Sequence, residues 1–143
     1  MTEHAPRHLR GVLDTSTVIM LSRITDPAAL PAEPLIRTLT LAELTVGPLV
    51  ARTDRERAAR QSHVQQAEAD FEPLPFDTPA ARAFGRVAAS LRQASRKPSA
   101  RAYDAMIAAT AISRDLPVYT CNPADFTGID GLTVIAVPVP QQA

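Results

Sequence analysis

The chain has 143 residues, one cysteine, and 15 basic against 15 acidic side chains. A lone thiol excludes an internal disulfide, no apolar run approaches the roughly 18 residues of a membrane span, and residues 1–10 lack the apolar stretch of a signal peptide. The expectation is one soluble cytoplasmic domain over 1–143, with a core of about 11–137.

Gly11-Val12-Leu13 reads as the first strand, ended by Asp14, and Asp14-Thr15-Ser16 is a helix-start signal. A helix over 17–24 stops at Asp26-Pro27. A short strand over 35–38 leads to a helix over 39–50, with Gly47-Pro48 as its weak point. Residues 52–70 form a charged helical stretch that covers a face rather than filling the core. Residues 72–76 read as a third strand, confined to a sheet edge by its prolines. Asp77-Thr78-Pro79 opens a helix to about residue 95, and 96–99 is a loop. An Ala-rich helix over 100–114 should turn Tyr103, Met106, Ile107 and Ile112 inward. A fourth strand over 117–120, a turn over 122–125, a fifth strand over 132–137 and a fraying tail complete the chain. Strands alternating with helices predict an α/β fold with a mostly parallel, five-stranded sheet flanked by helices.

In such sheets ligands bind outside the carboxyl ends of the strands. Four acids fall where the chain reaches that edge. Asp14 ends strand one, Glu43 and Asp104 lie in early helix turns, and Asp125 follows strand four. Taken singly, each has a plain structural reading: a helix cap, a dipole partner or a turn residue. Together they would repel one another and raise each other's pKa. A divalent cation relieves that repulsion, and all-oxygen ligands favour magnesium or manganese over zinc.

Other chemistries lack their residues. The chain has no Gly-rich phosphate loop, and His4, His8 and His63 are too scattered for a zinc site or a Ser-His-acid triad. A phosphoacceptor receiver domain needs an acidic pair after strand one and a late lysine. Asp14 has no acidic neighbour and the sole lysine is Lys97. From Thr78 to Tyr103, Arg82, Arg86, Arg92, Arg96, Lys97 and Arg101 stand with no acid among them, either a solvated helix face or a surface for phosphates.

The chain resembles the PIN-domain ribonucleases, and within them the VapC-type toxins of bacterial toxin–antitoxin pairs. The likeness spans about 11–137. Its marks are Val12-Leu13-Asp14-Thr15-Ser16, Leu41-Ala42-Glu43-Leu44 with Gly47, Arg101-Ala102-Tyr103-Asp104-Ala105-Met106-Ile107-Ala108-Ala109-Thr110-Ala111, and Tyr119-Thr120-Cys121-Asn122-Pro123-Ala124-Asp125-Phe126. The resemblance implies a three-layer PIN-like sandwich and a Mg2+- or Mn2+-dependent endoribonuclease that cuts a tRNA or rRNA and so stops translation. It implies Asp14, Glu43, Asp104 and Asp125 as the catalytic, metal-holding quartet, with Asp14 and Asp104 the most direct ligands. Ser16, Thr120 and Asn122 would support them, and Arg96, Lys97 and Arg101 would bind RNA. A small DNA-binding antitoxin of the VapB kind and a second copy of the chain are the implied partners, the Ala-rich helices allowing close approach. A non-catalytic PIN-like RNA-binding module is the alternative; loss of an acid would have favoured it, and none is lost.

Overall fold

The computed structural model describes residues 8–96 and 101–139. Four parallel strands, β1 (Arg10–Leu13), β2 (Glu33–Leu35), β3 (Val118–Thr120) and β4 (Val134–Ala136), form one sheet in the order β2-β1-β3-β4. The helices are α1 (Thr15–Met20), α2 (Thr38–Leu49), α3 (Asp54–Asp70), α4 (Thr78–Gln93) and α5 (Ala102–Ser113). The α/β class and parallel sheet agree with the sequence expectation. Among the described residues no helix is long and apolar enough to cross a membrane.

The two-residue alternation of a strand makes the layers. Val12 and Val118 pair in register and pack on one side with Val87 and Leu91 of α4 and Ile107 of α5. Leu13 and Tyr119, the next pair, pack on the other side with Val18 of α1, Leu44 of α2 and Val64 of α3. Helices therefore cover both faces, as a sheet buried on both sides requires. Gly11 is needed at the centre, because a Cβ there would lie 2.6 Å from the Tyr119 ring. In α3 only Val64 and Ala67 are buried, so this charged helix covers a face as expected.

The five-strand expectation needs correction. Residues 72–76 contribute one parallel bridge, Arg37 to Leu74. Leu74 donates its N–H to Ile36 (2.9 Å) and accepts from Thr38 (3.0 Å). Pro73 and Pro75 on either side have no N–H with which to extend the ladder. The first helix starts two residues earlier than expected, at Thr15, because Asp14 itself caps it by accepting from the Thr17 N–H. The second helix runs through Gly47-Pro48, where proline removes a single bond close to the helix end. The alanines of α4 and α5 do allow close approach, but within the chain: Ala80, Ala83, Ala105, Ala108, Ala109 and Ala111 are fully buried.

Arg37 is the largest fully buried side chain. Its guanidinium lies over the Phe76 ring at 6.0 Å and finds no hydrogen-bond partner among the described residues. Burial pulls its pKa down to about 10, against the opposing charge of Glu43, so it stays a cation at neutral pH.

Candidate active site at the carboxyl edge of the sheet

Strand order reverses between β1 and β3, since β1 connects toward β2 on one flank and β3 toward β4 on the other. A crevice at the carboxyl ends of two such strands is the usual ligand position in an open α/β sheet. Asp14 directly follows β1, and Thr120 is the last residue of β3.

Asp14 is 3% exposed and surrounded by donors. Its Oδ1 accepts from the Thr17 N–H (3.1 Å) and the Thr17 hydroxyl (2.5 Å), and its Oδ2 from the Thr120 hydroxyl (2.7 Å). The Ser16 hydroxyl reaches both oxygens at 3.1 Å. Thr120 Oγ1 in turn accepts from the Asn122 N–H at 2.9 Å. Ser16 and Thr120 thus stand where the sequence expectation put them, against the first acid. Asn122 enters through its backbone, with its side chain exposed.

Glu43 projects from α2, half-buried, and its Oε1 accepts from the Thr15 hydroxyl at 2.8 Å. Burial raises its carboxyl above the ordinary range; Thr15 and Arg37 pull it down, and the charge of Asp14 pushes it up. Asp104 occupies the first turn of α5. Burial, then the charges of Asp125, Asp14 and Glu43, push its carboxyl up to about 6, with Arg101 acting the other way. All four predicted acids therefore share one electrostatic field. Among the described residues, no three His, Cys, Asp or Glu side chains lie close enough to make a ready ligand set. The cluster is open, and Asp125 is drawn aside: its Oδ1 accepts from Arg101 Nη1 at 3.0 Å.

Asp125 rides on a 3-10 turn, Pro123–Phe126, anchored by the buried Phe126 ring. Arg96 Nη1 donates to the Ala124 and Thr127 carbonyls (3.2 and 3.3 Å), bracing that turn from the end of α4. Lys97 lies outside the described residues. Arg82, Arg86 and Arg92 stand exposed on α4.

Two hydroxyls and one cation escaped the sequence reading. Thr15 holds Glu43, and Thr17 joins Asp14 to the Cys121 N–H (3.1 Å), tying the ends of β1 and β3 together. The signal was present as Thr15-Ser16-Thr17, three hydroxyls in a row after an acid at a strand end. Arg37, charge-coupled to Glu43, left no signal, because its burial depends on distant Phe76.

Comparison with known proteins adds sequence and fold relationships. Residues 11–132 match the family model described as PIN domain. The chain is 40% identical over 129 residues to Ribonuclease VapC5 of Mycobacterium tuberculosis, covering 89% of this chain and 93% of that protein. It superposes with TM-score 0.78 and 39% identity on a chain of VapBC-5, a toxin–antitoxin member from the same organism, over 90% of this chain and 99% of that one. A chain of DNA-bound VapBC from Salmonella typhimurium gives a TM-score of 0.71 at 28% identity, covering 91% of this chain and 99% of that one.

Proposed function

The chain belongs to the PIN-domain family and to the VapC-type proteins within it, and on that premise we propose that it is a metal-dependent endoribonuclease, the toxin of a toxin–antitoxin pair acting in the cytoplasm. The observation that carries the reading is the gathering of the four acids at the sheet edge, where burial and then the charges of Asp125, Asp14 and Glu43 raise the Asp104 carboxyl. Carboxylates kept in mutual repulsion suit a divalent cation, and their all-oxygen donors suit Mg2+ or Mn2+. Asp14, Glu43, Asp104 and Asp125 would hold it. Such a cation supplies an acidified water at neutral pH and offsets charge on the phosphate.

The protein's own groups have separate tasks in this reading. The hydroxyls of Ser16, Thr17 and Thr120 fix the Asp14 carboxylate so that it need not reorganise. Thr15 orients Glu43. Arg101, with the N–H groups of Arg96 not spent on carbonyls, offers positive charge to RNA phosphates beside the acids, Lys97 follows Arg96 in sequence as a further proposed RNA contact, and the 2′-hydroxyl need not act as nucleophile. A tRNA or rRNA is the proposed substrate, with 5′-phosphate and 3′-hydroxyl ends as products.

The solved relative VapBC-5 is a member of a family of toxin–antitoxin systems, and the VapBC of Salmonella typhimurium is bound to DNA. A small DNA-binding antitoxin is accordingly the proposed partner here. Exposed Ile19 on α1 and Val46 and Leu49 on α2 offer it apolar contacts near Glu43. A homodimer belongs to the same reading, although the Ala-rich faces, spent inside the chain, do not carry it; light scattering at tens of micromolar tests it.

The deciding experiment is cleavage of bulk tRNA by the purified chain after exhaustive chelation and return of single metals. Mg2+ or Mn2+ should restore cleavage and Zn2+ should not. Undiminished cleavage in chelator would defeat the metal-dependent reading, and no cleavage under any metal would favour a binding module.

A further inference from the structure

The chain has six aromatic residues. Phe76, Phe84 and Phe126 pack into the core on the α4–α5 side of the sheet, and Phe71 and Tyr119 into the core on the other side. Tyr103 belongs to neither. Helical periodicity places it on the buried stripe of α5 with Ile107, yet it is 55% exposed while Ile107 is 1% exposed. Its hydroxyl has no hydrogen-bond partner among the described residues. The fold therefore leaves one large aromatic ring in water without using it.

Its position gives it a use. Tyr103 immediately precedes Asp104 in the first turn of α5, two residues after Arg101, whose guanidinium sits on Asp125. A phosphate drawn to this edge brings its own flanking bases to the same helix end. An exposed aromatic ring beside arginines is the usual platform on which a single-stranded base stacks, an interaction that tolerates any base because every base has a π-face. It also supplies affinity that a chain of zero net charge does not obtain from long-range electrostatics.

We propose that Tyr103 is a stacking platform for an RNA base flanking the phosphate held at the acidic cluster, an assignment that rests on the ribonuclease reading above. It makes Tyr103 a substrate-binding residue, one that fixes which nucleotide of the strand is presented to Asp104.

The test uses the full chain carrying Glu43→Gln to prevent turnover, and a fluorescein-labelled twelve-nucleotide oligouridylate with versions lacking one base at successive positions. Tyr103→Ala should weaken binding of the intact strand by about 5- to 150-fold, and Tyr103→Phe should restore it. The slope of log affinity against log salt should not change, since every cation that meets a phosphate is still in place. At one position, removing the base should weaken the parent but not Tyr103→Ala. The assignment is overturned if Tyr103→Ala binds like its parent, if the salt slope flattens with it, or if base removal affects both proteins equally. If the parent binds no RNA at all, the ribonuclease reading falls first and the assignment with it; circular dichroism of each variant separates these results from misfolding.

Discussion

Arg101 and Asp125 form an ion pair at 3.0 Å at the mouth of the acidic cluster, with their side chains 30% and 40% exposed. The pair joins the start of α5 to the turn after β3, and it places a cation on one of the four acids. A cation held by the proposed quartet would therefore compete with the guanidinium for the same carboxylate. Arg101→Ala should tighten Mn2+ binding several-fold, read by calorimetry at low salt. The same variant in a non-cleaving background should flatten the salt dependence of RNA binding by about 0.7 for each phosphate it no longer neutralises. A slope left unchanged would restrict Arg101 to holding Asp125.

Asp14 and Asp104 should respond differently to the same amidation. Asp14 accepts from Thr17, Ser16 and Thr120 on both oxygens. An amide turns one acceptor into a donor facing donors, so Asp14→Asn should lose about 1–3 kcal/mol of stability, measured by urea unfolding. Among the described residues Asp104 has no such ring of donors, and Asp104→Asn should fold normally. Both should lose RNA cleavage.

The raised Asp104 carboxyl gives that variant a pH signature. Its folded-state value is about 6, against an ordinary value of 3.8. The protonated form is favoured by folding, so the contribution to stability is present below about pH 4 and is lost as pH rises through about 6. At pH 7 the parent carries the ionised carboxylate at a cost moderated by solvent, because the group is only half-buried. Asp104→Asn should raise Tm by about 3 °C at pH 7 and by almost nothing at pH 4. A gain independent of pH would mean that charge repulsion is not its source.

What could be read in the sequence was whatever local pattern controls. Asp14 was legible because a strand end and a helix cap coincide there, and the alternation Val12-Leu13 and Val118-Tyr119 already encodes a sheet covered on both faces. The quartet followed from counting acids at strand ends and first helix turns. The missed features depend on packing between distant segments. Leu74 makes one bridge instead of a strand because its partners are Ile36 and Thr38, which its own flanks do not reveal. Tyr103 obeys helical periodicity and still faces water, which its place on the stripe with Ile107 does not reveal.

Arg37 is the clearest of these long-range effects. A buried guanidinium without hydrogen bonds is costly, and replacing a buried charge with an apolar side chain of similar length is often neutral or stabilising. Arg37→Met should leave Tm unchanged or raise it, while Arg37→Ala, which opens a cavity beside Phe76, should lower it. Marked destabilisation by methionine would reveal a partner for the guanidinium in solution.

Thr17 links the first acid of the site to the end of β3. Its hydroxyl donates to Asp14 Oδ1 at 2.5 Å and accepts from the Cys121 N–H at 3.1 Å, while the side chain is fully buried. Thr17→Val keeps the shape but removes donor and acceptor together, leaving the Cys121 N–H without its partner and Asp14 Oδ1 with only the Thr17 N–H and the Ser16 hydroxyl. Unsatisfied groups in such a place cost about 1–3 kcal/mol, so a fall in stability of that order is expected. A purely structural role would end there. If Thr17 also fixes Asp14 for the metal, Mn2+ affinity should fall in the folded variant, and kcat should fall more than KM rises, because a misoriented carboxylate weakens the transition state rather than the binding of RNA. Thr17→Ser, which retains the hydroxyl and loses a methyl group, should recover metal affinity while remaining somewhat less stable than the parent. Equal metal affinity in the valine and threonine proteins, measured where both are folded, would confine Thr17 to holding the strand ends together.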